Sequence, residues 1–298
     1  MNRRMVVRMT TSYQTAQLAI VTGASTGIGR ATAERLAADG FHVLAGVRKQ
    51  ADAQKIAAPG IEPVILDITN DDHIASLLDR VTRDPDGRPL RVLVNNAGVA
   101  VNAPVEVLSI EDWRYQFDVS VFGQIALTRA LLPLLLASHG RIVNVTSVGG
   151  RVAMANFGAY SAAKFAMEAV SDSLRREVEA FGVTVVKITP GAVSTNLTES
   201  GLAAAARITD TMTADQRERY DELGRAFTAQ AKAFARDGVS PERAAAVISK
   251  AVAAGRPKTR YTIGRDGAMF TFMPRIASDR LLDSMLRMQN KRLAKTKG

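Results

Sequence analysis

The amino-acid sequence predicts an α/β fold in which one doubly wound parallel sheet carries helices on both faces. Two observations lead to it. Short apolar runs of strand length alternate with helix-period segments, and such alternation builds parallel sheets. The first apolar run also breaks into a glycine-rich turn that opens directly onto a helix, the arrangement that holds a dinucleotide pyrophosphate. A length of 298 residues with 47% hydrophobic side chains is enough for a core and suits one domain of this class.

Residues 18–22 (LAIVT) form the first predicted strand and lead into Gly23, Ser25, Thr26, Gly27, Ile28 and Gly29, followed by the helical RATAERLAADG. Glycines let backbone amides approach a phosphate, and the helix N-terminus adds partial positive charge. The spacing is GxxxGxG; alternatively, the glycines only punctuate a loop. His42–Val47 is the second strand, ending in Arg48 and Lys49. The tip of this strand meets the adenosine ribose in doubly wound folds. An acid there would repel a 2′-phosphate, whereas Val47 followed by Arg48 offers one a guanidinium. That favours NADP(H) over NAD(H), unless Arg48 and Lys49 are ordinary surface charges.

The third strand, residues 63–67, ends in Asp67, which suits an adenine amino group together with the Ile68 backbone. A helix at 71–83, a turn at 84–87 and a fourth strand at 90–94 follow, leading to Asn95, Asn96, Ala97 and Gly98. Small residues there let the backbone lie against a cofactor, and the asparagines can tie strand ends together. Helices at 113–137 and 158–181 flank a strand at Arg141–Val145, and a further strand spans 183–189 before Pro190 and Gly191.

The chemistry concentrates in residues 147–164. Tyr160 and Lys164 are four apart and share a helix face. A cation beside a phenol favours the phenolate and lowers its pKa, making it a usable acid and base. Ser147, on the preceding loop, is placed to hydrogen-bond the oxygen that gains or loses the proton. Alone, a helical Tyr and Lys at this spacing usually pack and snorkel.

With TGASTGIG, NNAG, Ser147, YSAAK and Pro190-Gly191 in this order, the chain resembles the short-chain dehydrogenase/reductase family over roughly residues 17–265. The resemblance implies a single-domain Rossmann-type enzyme that moves hydride between NAD(P)H and a carbonyl or alcohol. It implies Tyr160 as acid/base, Lys164 as the ligand of the nicotinamide ribose that depresses the tyrosine pKa, and Ser147 as the group polarising the substrate oxygen. Pro190, Gly191, Val193 and Thr195 would hold the nicotinamide carboxamide and adjoining phosphate. The family usually carries an asparagine in its central helix to order a water chain. Here Ser120 stands there, within DVSVFG, as a candidate relay member with a different hydrogen-bond inventory; Asn144 and Asn156 lie outside that helix.

The same likeness implies a homodimer or homotetramer through the two long helices, whose apolar positions otherwise just cover the sheet. Residues 196–239 form a helical insertion where substrate covers sit. A helix from Ser240-Pro241 and a last strand within 257–263 complete the domain, and residues 266–298 form a helical tail. PKTRY followed by DRLLDSML is like the hydroxysteroid and retinol dehydrogenase-like branch, implying a bulky apolar, steroid- or retinoid-like alcohol or carbonyl. The aromatic and methionine cluster at 268–274 either lines a pocket for such a ligand or caps a core or interface. Competing functions are a 3-oxoacyl-thioester reductase, which the +10 charge would suit through an acidic carrier, and a non-catalytic NADP(H)-sensing protein.

Zero cysteines exclude disulfides and thiol chemistry, and His42, His73 and His139 are scattered without metal-ligand spacing, so no metal is expected. No unbroken apolar run reaches eighteen residues, the longest being 130–137, and the basic start lacks a signal peptide's apolar region. A cytoplasmic location is the expectation. Much of the positive excess sits at the ends, in Arg3, Arg4, Arg8, Arg280, Arg287, Lys291, Arg292, Lys295 and Lys297. It reads as solvated tails or, for the last helix, as a face for a membrane surface. No nucleic-acid motif occurs.

Overall fold

A computed structural model describes residues 16–295, with Pro274 and Arg275 as backbone only. Residues 1–15 of the expected N-terminal extension, with Arg3, Arg4 and Arg8, and Lys297 at the other end lie outside the described residues. Seven parallel strands form one sheet in the order β3-β2-β1-β4-β5-β6-β7. They are β1 (Leu18–Val21), β2 (His42–Val47), β3 (Ile61–Ile65), β4 (Leu90–Asn95), β5 (Arg141–Val145), β6 (Thr184–Pro190) and β7 (Arg260–Ile263). β1 pairs with both β2 and β4, so the strand order reverses beside it. A crevice therefore opens above the C-terminal strand ends at that point.

Alternation along each strand splits the core into two layers. Ala19, Val21, Val43 and Ala45 face α1 (Gly27–Ala38) and α9 (Pro241–Ala253), while Leu18, Ile20 and Leu44 face α3 (Asp71–Thr82) and α5 (Gly123–Ala137). The first layer is lined by α9 residues, among them Ala244, Ile248 and Ala251, and the second by the fully buried Leu127, Leu131 and Leu135 of α5. A strand buried on both faces reads as a continuous apolar run, which is why the strands stand out in the sequence.

Several boundaries differ from expectation. β3 covers Ile61–Ile65, because Val43 to Val47 of β2 pair with those residues; Asp67 therefore lies past the strand. The short α2 (Gln50–Ile56) has too few residues to show a helical period. The helix expected at 113–137 starts at α4 (Ile110–Phe117), capped by Ser109, and reaches α5 through a π turn at Asp118–Phe122. By length and composition this continuous Ile110–Ala137 helix is able to cross a membrane, a property the sequence expectation did not foresee because charged and polar residues interrupt the apolar run. Half of its apolar window is buried inside the protein. The helix expected at 158–181 is α6 (Gly158–Val178) with a 3-10 turn, Glu179–Phe181, before Gly182 in the left-handed region.

The insertion holds α7 (Asn196–Asp210) and α8 (Ala214–Asp237), the latter started by a capping box between Thr213 and Gln216. The tail holds α10 (Arg265–Ile276) and α11 (Asp279–Lys295).

A buried carboxylate fixes α6 to the sheet. Glu168 accepts hydrogen bonds from Thr146 Oγ1 (2.8 Å), just past β5, and from Arg260 Nη1 (2.6 Å) of β7. It pairs at 3.2 Å with Lys187 Nζ of β6, which also reaches Asp172 at 2.6 Å. Burial pushes the Glu168 carboxyl up, but Arg260 and Lys187 outweigh it and hold it below its ordinary value. Its stabilising contribution is therefore complete above the pKa of the unfolded carboxyl and is lost as pH falls through the lower folded value. Removing one partner from a buried ion cluster costs about 3–5 kcal/mol. Urea denaturation of Glu168→Ala at neutral pH should show a loss of that size, with a smaller gap between variant and parent in acid. A gap that does not narrow in acid would refute this account.

Candidate active site

The crevice has a volume of about 410 Å³ and is lined by residues from six segments that the sequence singled out, at 23–28, 48, 67–68, 96–98, 147–164 and 190–195. Gly23, Ser25, Thr26, Gly27 and Ile28 form one wall, and Gly23 and Gly27 have φ of +64° and +56°, where a side chain is strained. A Cβ on Gly23 would lie 2.9 Å from the Ala97 Cα, so only glycine permits this approach between the turn and the NNAG segment. Thr26, at the α1 N-cap, makes no side-chain cap bond, whereas Asn70, Ser109 and Ser240 cap α3, α4 and α9. The uncapped amides at the head of α1 suit a bound diphosphate. Among the described residues the cleft thus fits a dinucleotide.

Gly29 does not line the crevice. A Cβ there would fall 2.2 Å from the Gly23 carbonyl oxygen, so the missing side chain lets the helix pack directly on the turn. Asn95 also lies off the crevice lining: it is fully buried, and its Nδ2 donates to Thr128 Oγ1 (3.0 Å) and Asn144 Oδ1 (2.9 Å), tying β4 to α5 and β5. Its neighbour Asn96 lines the crevice and donates through Nδ2 to the Thr22 carbonyl at 2.9 Å. Period-two alternation in β4 would have distinguished the two.

Arg48, Asp67 and Ile68 line the adenosine end, joined by Lys49 and Asp52. Burial pushes the Asp67 carboxyl up, but hydrogen bonds from Thr69 and the Arg48 charge hold it low. Ala97, Gly98, Pro190, Gly191, Val193 and Thr195 line the opposite end. Asp266, from the first turn of α10, accepts from the Ala192 amide at 2.6 Å and fills the space a Gly191 side chain would need. No local pattern signals this brace, because 74 residues separate the partners.

Ser147, Tyr160 and Lys164 line the inner wall together. Ser147 accepts from the Gly149 amide (3.0 Å), and a Cβ on Gly149 would meet the Tyr160 ring at 2.9 Å. Lys164 is buried and donates from Nζ to the Val145 carbonyl at 3.0 Å, with Nζ 5.9 Å from the Tyr160 ring centroid. Burial brings its pKa down to about 8, and Glu168 pulls the other way. The expected softening of the phenol is not what this geometry gives. Burial pushes the Tyr160 phenol up, and its hydrogen bond with Ser147 works against that. The lysine cannot dominate because its ammonium is turned to the Val145 carbonyl and is itself desolvated.

Ser120 lies within the π turn, fully buried, and accepts from Gln116 Nε2 at 2.8 Å. It does not line the crevice. It stands behind Gly98, where a Cβ would be 3.8 Å from both Ser120 Oγ and Lys164 Nζ. Gln116, which sequence reasoning missed, also accepts from the Val101 amide at 2.9 Å and donates to the Val99 carbonyl at 3.0 Å.

The substrate end is aromatic. Phe157 meets Tyr160 (6.3 Å) and Phe227 (5.4 Å) edge to face, and Phe227 and Phe234 of α8 line the crevice with Met154. Residues of the 196–239 insertion, among them Leu197 of α7 and Phe227 and Phe234 of α8, line the crevice. The 268–274 cluster does not line it: Met269 and Phe272 turn outward, half exposed.

A family model described as short chain dehydrogenase matches residues 17–206. The chain belongs to that family, whose members are oxidoreductases acting on alcohols and carbonyls with NAD or NADP. It is 36% identical over 91% of its length to a 3-amino-tetrahydro-pyrrolizinone reductase of Xenorhabdus hominickii, covering 95% of that protein. It is 33% identical to an NADPH-dependent 3-dehydrocapnine reductase of Ornithobacterium rhinotracheale (92% and 98% covered) and 35% identical to retinol dehydrogenase 5 of Mus musculus (89% and 86%). The crystal structure of a short-chain dehydrogenase from Streptomyces avermitilis superposes with a TM-score of 0.74 at 31% identity, covering 95% of this chain and 99% of that one.

Proposed function

We propose that the protein is an NADP(H)-dependent oxidoreductase that interconverts a carbonyl and an alcohol on a bulky, largely apolar substrate, in the size range of steroids and retinoids. The observation that carries it is the convergence of Ser147, Tyr160 and Lys164 on one wall, beneath the aromatic shelf of Phe157, Phe227 and Phe234. The bound dinucleotide supplies or takes up the hydride. Tyr160, kept protonated at neutral pH by burial, gives its proton to the carbonyl oxygen in reduction. Ser147 holds that oxygen, its own hydroxyl oriented by the Gly149 amide. Lys164, anchored on the Val145 carbonyl, is placed to bind the ribose of the nicotinamide. The retinol dehydrogenase relative supports the apolar substrate.

Preference for the 2′-phosphate rests on Arg48, which lines the adenosine end just past Val47, the tip of β2, and it agrees with the NADPH-dependent relative. The oligomer is proposed to form on α4 and α6, with the π turn, where Ile110, Phe122 and Phe165 stand exposed beside a small cluster of Val121, Ala163 and Met167. Apolar side chains gathered in this way mark an interface.

Three measurements test these readings. Tyr160→Phe should lose about 10²–10⁴ in kcat on any ketone the parent reduces; parental turnover would remove Tyr160 from the mechanism. Arg48→Ala should lose about 10–100-fold in NADPH-over-NADH discrimination, the worth of a charge-assisted contact; an unchanged ratio would make Arg48 a surface charge. Sedimentation should give a dimer or tetramer that Phe165→Glu dissociates, and a monomeric parent would refute the interface.

A further inference from the structure

The C-terminal tail leaves large apolar side chains in solvent on two consecutive helices. Met269, Phe272 and Ile276 are exposed on α10, and Leu281, Met285 and Met288 on α11. Each set recurs at steps of three and four residues and therefore forms a stripe along one helix face. Ile276, 85% exposed, closes the first stripe, and Leu281 opens the second across the short Ala277-Ser278 connection. The other side of α11, with Leu282, Leu286 and Leu293 partly covered, packs on α8.

Charge on α11 is sorted in the same way. The helix carries five cations and two acids. Arg280, Arg287 and Lys291 are exposed and follow one another at helical spacing along the edge of the apolar stripe. Asp279 and Asp283 fall on the side of the helix turned away from Leu281, Met285 and Met288. A polar helix with an apolar stripe edged by lysine and arginine is suited to lie in the interface of an anionic bilayer. A second copy of the chain suits it less, because an isologous contact would bring both positive edges into one interface.

We propose that α10 and α11 form a docking face for an anionic lipid bilayer. Ile276, Leu281, Met285 and Met288 enter the boundary between headgroups and acyl chains, and Arg280, Arg287 and Lys291 face the lipid phosphates. The proposal goes beyond the catalytic reading and does not depend on it. Because α11 packs along α8, which carries Phe227 and Phe234 into the crevice wall, docking keeps the helix over the substrate end next to the lipid.

The test is flotation of the full chain with phosphatidylcholine vesicles, pure or containing phosphatidylglycerol. The chain should float with the anionic vesicles, and the bound fraction should fall as salt is raised, since salt screens exposed charges. A lysine or arginine at such a surface is worth about fivefold in partitioning, so Arg287→Gln and Lys291→Gln should each lower it by about that factor. Ile276→Ser and Met288→Ser remove apolar contact and should lower it as well. All four positions are exposed, so the variants should unfold at the parent's temperature, which separates lost docking from lost folding. Failure of the parent to float with anionic vesicles would overturn the proposal, as would flotation that all four variants retain. A parent that ignores vesicles but sediments as an oligomer dissolved by Ile276→Ser and Met288→Ser would assign the face to a second copy and overturn it too. Ketone turnover without vesicles is read separately, so failure of the catalytic reading leaves this result untouched.

Discussion

The site depends on one buried carboxylate. Tyr160, Lys164 and Glu168 follow one another at helical spacing on α6, so a single face of that helix carries the phenol, the amine and the anchor. Thr146, Lys187 and Arg260 come from or directly after three neighbouring strands, β5, β6 and β7, and all converge on Glu168. The cluster acts as a clamp that sets the height of α6 over the sheet. A one-residue shift of α6 would carry the phenol away from Ser147 and break every bond to the carboxylate at once.

That clamp also explains the electrostatics above it. Lys164 is buried, with Glu168 one turn away pulling its pKa up against desolvation. Glu168 is itself committed to Arg260 and Lys187, so the lysine remains easily deprotonated for a buried amine, at about 8. Burial pushes the phenol up, against the pull of its hydrogen bond with Ser147.

The other walls are held from far along the chain. Asp266 braces the turn after β6, Gln116 latches the loop after β4, and α8 lowers Phe227 and Phe234 over the substrate end. Through Asp266 the C-terminal tail is part of the site, although it begins where the shared sequence motifs end. The π turn serves a similar purpose: one widened turn lets Gln116 and Ser120 bond each other at 2.8 Å while α4 and α5 continue in line.

Local chemistry made the sheet, the glycine turn and the catalytic wall legible in the sequence. Strands buried on both faces are continuous apolar runs, a turn that must take φ of +64° demands glycine, and a Tyr and Lys four apart share a face whatever surrounds them. The sequence could not show that Gly29 packs so closely on the Gly23 carbonyl, that the phenol is pushed up, or that Asp266 braces the turn after β6. Each of these depends on what lies across the fold. Strand register, desolvation and long-range hydrogen bonds are set by residues tens of positions away, and no local pattern records them until the chain has closed on itself.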